Sequence, residues 1–139
     1  MKELLEKYPQ DIKYVFKHFP LQSDGKAQEL SEMVGAVQMV SNEAFWAIHD
    51  FFFSDEGQTI INNNKEQLRL RIEIILKQKG FDVKAFQTAL NIGDGKARVK
   101  EDVAIGTKIG VSATPSAVIN GNFHRGLLPE KTIEKYLGR

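Results

Sequence analysis

The chain contains no cysteine among its 139 residues. Disulfide bonds, thiolate metal sites and cysteine nucleophiles are therefore excluded together for these residues. Basic and acidic residues nearly balance, for a formal net charge of +1 at pH 7. A chain this close to neutrality has no basic surface that would argue for nucleic acid or an anionic membrane as a partner, so we predict neither.

Long apolar runs are also lacking, because no stretch approaches the roughly 20 consecutive apolar residues of a membrane span. The segment after Met1 begins Lys-Glu and continues as an amphipathic pattern, which is unlike a signal peptide. We predict neither a transmembrane helix nor a signal peptide. With 42% hydrophobic and 27% charged residues, the composition is ordinary for a soluble globular protein. A single domain of this length buries roughly 68% of its unfolded surface.

The most informative stretch runs from Gly110 to Asn122 with the sequence GVSATPSAVINGN. A helical pattern ends at Gly110, a residue that readily takes the left-handed conformation that closes a helix. Thr114-Pro115 then leads into the apolar run Ala117–Ile119, which is typical of a buried strand. A proline there belongs at the first residue of the strand or on an edge, and an X-Pro bond is the only type for which the cis form costs little.

A β-hairpin is predicted directly after this strand. Asn120-Gly121 is the strongest short-range signal for a type I′ turn, so residues 122–125 are predicted as the return strand. Pro129 fits the start of a last helix that packs back through its apolar residues.

The order of helix, Val-x-x-Thr-Pro, strand, Asn-Gly turn, strand and terminal helix resembles the C-terminal half of a thioredoxin fold. Its motif is similar to the DsbA-like branch of that superfamily, and the resemblance covers nearly the whole chain. Upstream it is carried by the end of a first helix, the strand after it, an aromatic helix and the helix leading to the proline: 2–9, 12–21, 45–53 and 99–106.

The resemblance implies an α/β fold of the DsbA-like thioredoxin type, as a single domain over residues 1–139 with a helical insertion at about 26–109. It implies thiol–disulfide exchange with protein substrates in the intact family member, in a periplasmic or otherwise exported setting. It also implies that Ala113, Thr114 and Pro115 form a cis-proline loop whose backbone pairs with an extended or unfolded polypeptide. Many relatives have glycine in place of Ala113, a departure that affects the detail of the loop.

Family members carry a strand and a Cys-x-x-Cys turn immediately before the first helix, and this chain contains neither. Dithiol exchange requires a thiolate nucleophile and a second sulfur to resolve the mixed disulfide. We therefore predict that the chain as it stands has no catalytic residue and is redox-inactive. The alternative is a non-catalytic thioredoxin-fold module that binds a peptide or serves as a scaffold. A glutathione-dependent relative with serine in place of cysteine would need that serine in the same missing turn.

In the thioredoxin fold, the missing strand would lie between a predicted strand at Ile12–Phe19 and the one at Ala117–Ile119. Its absence leaves unpaired backbone groups on two edges, each costing on the order of 1–3 kcal/mol if buried. A domain stable by only ~5–15 kcal/mol tolerates few of these. Three outcomes stay open: a fragment or misplaced start of a longer protein, a homodimer through the exposed strand edges, or a smaller sheet in which the flanking strands pair with each other.

Between the two predicted strands, a loop is expected at Ser23-Asp24-Gly25 and a 3.6-residue periodicity then predicts five helices. Asn42 is predicted to cap the second of these helices and Asp82 the fourth. Ile60-Ile61 and the asparagines after them are predicted as a loop or a frayed turn. Gly93-Asp94-Gly95 is predicted as a turn.

The three histidines, His18, His49 and His124, are separated and have no carboxylate at a catalytic spacing, so structural roles are favoured. His49 and Asp50 are adjacent, and adjacent side chains on a helix point apart, so they are not expected to form a dyad. Asp94 lacks the other ligands of a calcium loop, and no glycine-rich phosphate loop is present. We therefore predict neither a metal site nor a cofactor.

Overall fold

The structure, a computed structural model, describes residues 1–21 and 25–138. These residues form eight helices and one two-stranded sheet, which confirms the predicted helix-rich α/β class. In the predicted loop at 23–25, Ser23 and Asp24 lie outside the described residues, and Gly25 is already helical. The elements are α1 (Lys2–Lys7), α2 (Gly25–Gln38), α3 (Asn42–Phe52), α4 (Asp55–Asn63), α5 (Lys65–Gln78), α6 (Val83–Ile92), α7 (Asp94–Lys108), β1 (Ser116–Ile119), β2 (Asn122–Arg125) and α8 (Glu130–Tyr136).

The chain divides into two compact units. The first, here called the terminal unit, consists of Met1–Lys17 and Ile105–Arg139, and the second, the central unit, of His18–Ala104. The predicted single-domain boundary and the insertion at about 26–109 stay predictions. Within the described ranges, no helix is both long and apolar enough to cross a membrane.

The central unit is a helical assembly in which α2 packs against α3 and α6. Its core is made of aliphatic and aromatic side chains that are almost completely removed from solvent: Val37, Phe45, Ile48, Leu68, Ile72, Leu76, Phe86 and Val99. These residues recur at helical spacing along their elements, so burial of one apolar stripe per helix accounts for the assembly.

A glycine contact joins two helices of this unit. A Cβ atom added to Gly95 would lie 2.1 Å from the carbonyl oxygen of Glu32 in α2. The predicted turn at Gly93-Asp94-Gly95 is wrong for its last two residues, because Asp94 and Gly95 form the first turn of α7. Gly93 does end α6, with a φ of 86°. Only a residue without a side chain permits this close approach of the two backbones.

Helices α3, α4 and α6 of this unit each begin at a capping side chain, and two of these caps differ from the prediction. Asp82 caps α6 as predicted, its Oδ1 accepting from the Ala85 N–H at 3.0 Å. The cap of α3 is Ser41 rather than Asn42, with Oγ accepting from the Ala44 N–H. The predicted loop at Ile60-Ile61 is wrong, because Ser54 caps a new helix and acidic residues follow in its first turn, where the helix dipole favours them.

The predicted strand at Ile12–Phe19 is wrong. Residues 12–21 belong to no helix or strand, and β1 pairs with β2 alone in the described part of the chain. Val15, predicted to lie in the interior of a sheet, is 57% exposed. The apolar pattern of this segment is that of a strand. A strand forms only where a neighbouring strand accepts and donates its backbone hydrogen bonds, and no such neighbour lies among the described residues. The two predicted flanking strands therefore do not pair with each other.

The terminal unit joins both ends of the described chain. Leu4, Tyr8 and Ile133 form its buried cluster, and partly buried apolar residues pack around them: Ile12, Ile119, Leu128 and Leu137. On the surface beside this cluster, Lys7 Nζ contacts Glu134 Oε1 at 2.7 Å and Glu130 Oε1 at 2.9 Å. The predicted hairpin is confirmed, since Asn120 and Gly121 have φ values of 48° and 83°, as a type I′ turn requires.

Candidate functional site

The three residues singled out in the sequence, Ala113, Thr114 and Pro115, lie in one exposed bend between α7 and β1. Helix α7 ends at Lys108, and Gly110 follows with a φ of 88°. The N–H of Val111 returns to the carbonyl of Gly106 at 2.9 Å. This bond satisfies one of the last carbonyls of the helix and turns the chain toward the bend.

Hydrogen bonds fix the bend on both sides of Thr114. The Ser116 hydroxyl donates to the Ala113 carbonyl at 2.7 Å, and the Gly126 N–H donates to the Pro115 carbonyl at 2.8 Å. Arg125 Nη2 donates to the Ser112 hydroxyl at 2.9 Å, which ties the approach to the bend to strand β2. The Thr114–Pro115 peptide bond is cis.

The backbone of Thr114 faces solvent. Thr114 and Pro115 are exposed, whereas Ala113 is half-buried. Among residues 1–21 and 25–138, no hydrogen bond involves the N–H or the carbonyl of Thr114. The bend therefore presents one donor and one acceptor of the main chain, held in place by the bonds of its neighbours.

The row of outward groups continues along β1. Ile119 lies opposite Asn122, where the two-residue turn begins and ends, so its backbone groups face β2. The carbonyl of Pro115 faces β2 as well, because it accepts from the Gly126 N–H. Because bonded and non-bonded positions alternate in an antiparallel ladder, Ser116 and Val118 direct their backbone groups away from β2, as Thr114 does. One edge of β1 thus carries backbone donors and acceptors two residues apart from Thr114 to Val118.

The bend and β1 carry two hydroxyl side chains, those of Thr114 and Ser116, and the Ser116 hydroxyl donates to the Ala113 carbonyl. Two titratable side chains lie on β2: Arg125, opposite Ser116, and His124, which lies opposite Ala117 and has Nε2 2.9 Å from the Tyr136 hydroxyl. The arrangement offers main-chain donors and acceptors with which a polypeptide backbone can pair, and it contains no thiol.

The other two histidines lie in the central unit. His18 is buried, with Nε2 3.2 Å from Gln38 Oε1. The His49 ring meets that of Trp46 edge to face, with centroids 5.1 Å apart, and lies tilted against that of Phe53, with centroids 4.8 Å apart. The prediction that His49 and Asp50 point apart is wrong, because His49 Nδ1 lies 3.5 Å from Asp50 Oδ1. A rotation of about 100° per residue separates their Cβ atoms, but the ends of these side chains still converge.

Asp102 is a buried polar residue that sequence reasoning missed. Only 1% of it is exposed, and its Oδ2 accepts from the backbone N–H of His18 at 3.0 Å. Arg98 Nε lies 3.6 Å from the other carboxylate oxygen. Its place on the buried face of α7 could have been predicted from helical spacing, because Asp102 lies three residues after the apolar Val99. Across the described residues, no three His, Asp or Glu side chains converge on a common point where a metal could bind.

Comparison with known proteins identifies relatives of the whole chain. The family model described as thioredoxin matches residues 1–139. The Na(+)/H(+) antiporter NhaA 1 of Salinispora arenicola (strain CNS-205) is 29% identical over 130 residues, and the Na(+)/H(+) antiporter NhaA 3 of Salinispora tropica is 28% identical over 127. Each alignment covers 91% of this chain, which spans 18% of the length of these curated relatives. No solved structure matches the chain significantly.

Proposed function

Because the chain belongs to the thioredoxin family, we propose that its Ala113–Thr114–Pro115 bend binds an extended segment of an unfolded polypeptide. The proposal places the chain in the DsbA-like branch, as the part of a thiol–disulfide oxidoreductase that holds the substrate. The observation that carries it is the exposed Thr114 backbone, whose N–H and carbonyl have no partner among the described residues. An extended peptide can satisfy both groups by adding a strand to this edge.

Two features of the bend favour binding of this kind. The bonds from Ser116 to Ala113 and from Gly126 to Pro115 hold the backbone in one conformation, so little ordering of the loop is needed when a peptide arrives. The Thr114 groups also precede Ala117–Ile119, so a peptide paired there leaves that run free for the strand that the family resemblance places beside it. Main-chain pairing is insensitive to side-chain identity, which suits substrates recognised by being extended rather than by sequence.

The bound polypeptide would not be oxidised or reduced by these residues. Exchange begins with attack of a thiolate on a disulfide sulfur, and the sequence contains no cysteine. In an intact oxidoreductase the reacting sulfurs would come from outside these 139 residues. The purified chain should not accelerate the reduction of insulin disulfides by dithiothreitol, and a rate above that of the reagent alone would contradict this part of the proposal.

A peptide with one blocked edge tests the binding itself. The probe is a decapeptide of alternating serine and valine, compared with an analogue N-methylated at every second residue so that the donors of one edge are removed. Isothermal titration should show binding of the parent peptide and a large loss of affinity for the methylated one. Equal binding of the two peptides, or no binding of either, would reject main-chain pairing at this edge.

The antiporter alignments favour a second candidate, in which these residues are a thioredoxin-family segment of a longer Na(+)/H(+) antiporter. The supporting observation is that 91% of this chain aligns with 18% of each of these proteins. Translation of the flanking DNA distinguishes the candidates. An adjoining open frame encoding many apolar spans supports the antiporter, whereas an upstream apolar strand followed by Cys-x-x-Cys supports the oxidoreductase.

A further inference from the structure

We propose that the central unit binds a small monocarboxylate in an open cleft lined by Gln38, Met39, Asn42 and Arg98. These residues come from the end of α2, the turn after it, the first residue of α3 and the middle of α7, and all belong to the central unit. The ligand class is a carboxylate with a short apolar group, as a free acid or as the C-terminal residue of a peptide. The proposal does not depend on the bend or the hairpin of the terminal unit.

Arg98 supplies the positive charge of the cleft. Its guanidinium has five N–H donors, and none forms a hydrogen bond with the described residues, although Nε is buried. Nε lies 3.6 Å from Asp102 Oδ1 and Nη1 lies 3.9 Å from Glu101 Oε2, both too far for a hydrogen bond. A planar guanidinium binds a carboxylate through two parallel N–H···O bonds. A carboxylate is therefore the ligand that matches the unused donors.

Two amide side chains add neutral donors to the cleft. Gln38 Oε1 lies 3.2 Å from His18 Nε2, which engages the oxygen of this amide and leaves its NH2 group to donate. Asn42 is exposed, and its side chain forms no hydrogen bond with the described residues. Because Asn42 is the first residue of α3, it lies at the positive end of the helix dipole, which favours a negative charge.

The charge and the size of the cleft restrict the ligand to a small monoanion. The buried Asp102 already balances the positive charge of Arg98, and Glu101 lies on the same helix, so a dianion would be disfavoured by repulsion. The cleft has a volume of about 220 Å³, below the roughly 300–1,000 Å³ of sites for drug-sized ligands. Met39 is 53% exposed there, and its flexible thioether suits contact with a short apolar group.

Titration with N-acetyl-leucine, followed by ¹⁵N NMR at low ionic strength, tests the proposal. The Nε–H signal of Arg98 should shift in a saturable way, with a dissociation constant of about 1 mM. The Nε–H of Arg71, which donates to Glu56 Oε1 at 2.8 Å, is the internal control and should not shift. N-acetyl-leucine amide lacks the charge and should leave both signals unchanged.

A second acid, 4-methylpentanoate, distinguishes the two sources of the carboxylate. It keeps the apolar group and the charge of N-acetyl-leucine but lacks the peptide group. Equal binding of the two acids supports a site for free acids, and tighter binding of N-acetyl-leucine supports a site for peptide C-termini.

Three variants test the residues. Arg98→Lys keeps the charge beside Asp102 but loses the planar fork, and should weaken binding about ten-fold. Asn42→Ala should weaken binding about three-fold, because one neutral hydrogen bond is lost. Since Asn42 is exposed, this variant keeps the test available should Arg98→Lys fail to fold, as checked by circular dichroism. Arg71→Lys is the matched control and should bind like the original chain.

Two outcomes would overturn the proposal. The first is an Arg98 Nε–H signal that does not shift at about 10 mM N-acetyl-leucine, ten times the expected dissociation constant. The second is an acid and an amide that act alike. Failure of the Ser-Val decapeptide to bind would reject the proposed function and leave this carboxylate site untouched, so the two proposals fail separately.

Discussion

The buried carboxylate of Asp102 accepts a hydrogen bond from the backbone N–H of His18 at 3.0 Å, joining two residues separated by 84 positions in the sequence. His18 is the first residue of the central unit and follows a stretch with neither helix nor strand. A helical side chain thus satisfies a main-chain donor that a sheet neighbour would satisfy in a strand. Arg98, one helical turn before Asp102 on α7, lies close enough to compensate its negative charge.

Asp102→Ala is expected to destabilise the chain by about 2–4 kcal/mol, because the His18 N–H loses its acceptor and Arg98 loses its nearby carboxylate. Asp102→Asn keeps an oxygen acceptor and should cost less. The free energy of unfolding in urea measures both effects. Equal stability of Asp102→Ala and the original chain would show that this bond contributes nothing to the fold.

Gly95→Ala is expected to cost about 1–3 kcal/mol, because its Cβ would lie 2.1 Å from the Glu32 carbonyl and α2 and α7 would have to separate. The matched control is Gly25→Ala, since Gly25 is also helical and nothing lies within 4 Å of its added Cβ. Thermal unfolding should lower the Tm of the first variant and leave that of the second unchanged or slightly raised. A similar Tm for both variants would contradict the close contact.

Acid should weaken the terminal unit through Glu134. Hydrogen bonds from Lys7 and then from Tyr8 hold the pKa of this carboxyl below its usual value of 4.5. A carboxyl whose pKa is lowered in the folded state contributes stability above the unfolded pKa and loses it as the pH falls through the folded pKa. The Tm should therefore decline below about pH 4.5, and less steeply for Glu134→Gln.

Tyr8→Phe is the matched control for that experiment, because it removes one of the two hydrogen bonds to Glu134 while keeping the ring in the buried cluster. Its acid decline should lie between those of the original chain and Glu134→Gln. High salt should reduce the difference between the curves, since the Lys7–Glu134 pair is partly exposed to solvent. Identical profiles for all three chains would show that Glu134 does not couple pH to stability.

Local signals predicted the hairpin and one of the caps correctly. Asn120-Gly121 determines its own turn, because few residue pairs accept positive φ at both central positions. Asp82 needs only the backbone three residues ahead to act as a cap. Around Ser41, two adjacent residues could both cap, and propensity alone favoured the wrong one. Ser54 caps a helix whose only buried residue is Gly57, so no apolar stripe in the sequence predicts it.

Features that depend on distant residues were not predictable in this way. The apolar pattern of Ile12–Phe19 is that of a strand, but strand formation depends on a neighbour that lies elsewhere in the chain or outside it. The burial of Asp102 depends on His18, far away in sequence. The sequence also predicted a loop at Ala113, Thr114 and Pro115. It did not predict that the Thr114 backbone lacks a hydrogen-bond partner among the described residues, because that depends on the bonds that its neighbours form.

Amide hydrogen exchange at Thr114 tests the central claim most directly, because binding through the main chain must protect that one N–H. In the chain without peptide, the Thr114 amide should exchange at nearly its intrinsic rate, whereas the amides of Ala117 and Ile119 should be slowed by their pairing with β2. Saturation with the Ser-Val decapeptide should slow exchange at Thr114 by at least about ten-fold. An unchanged Thr114 rate at saturating peptide would contradict the proposed binding site.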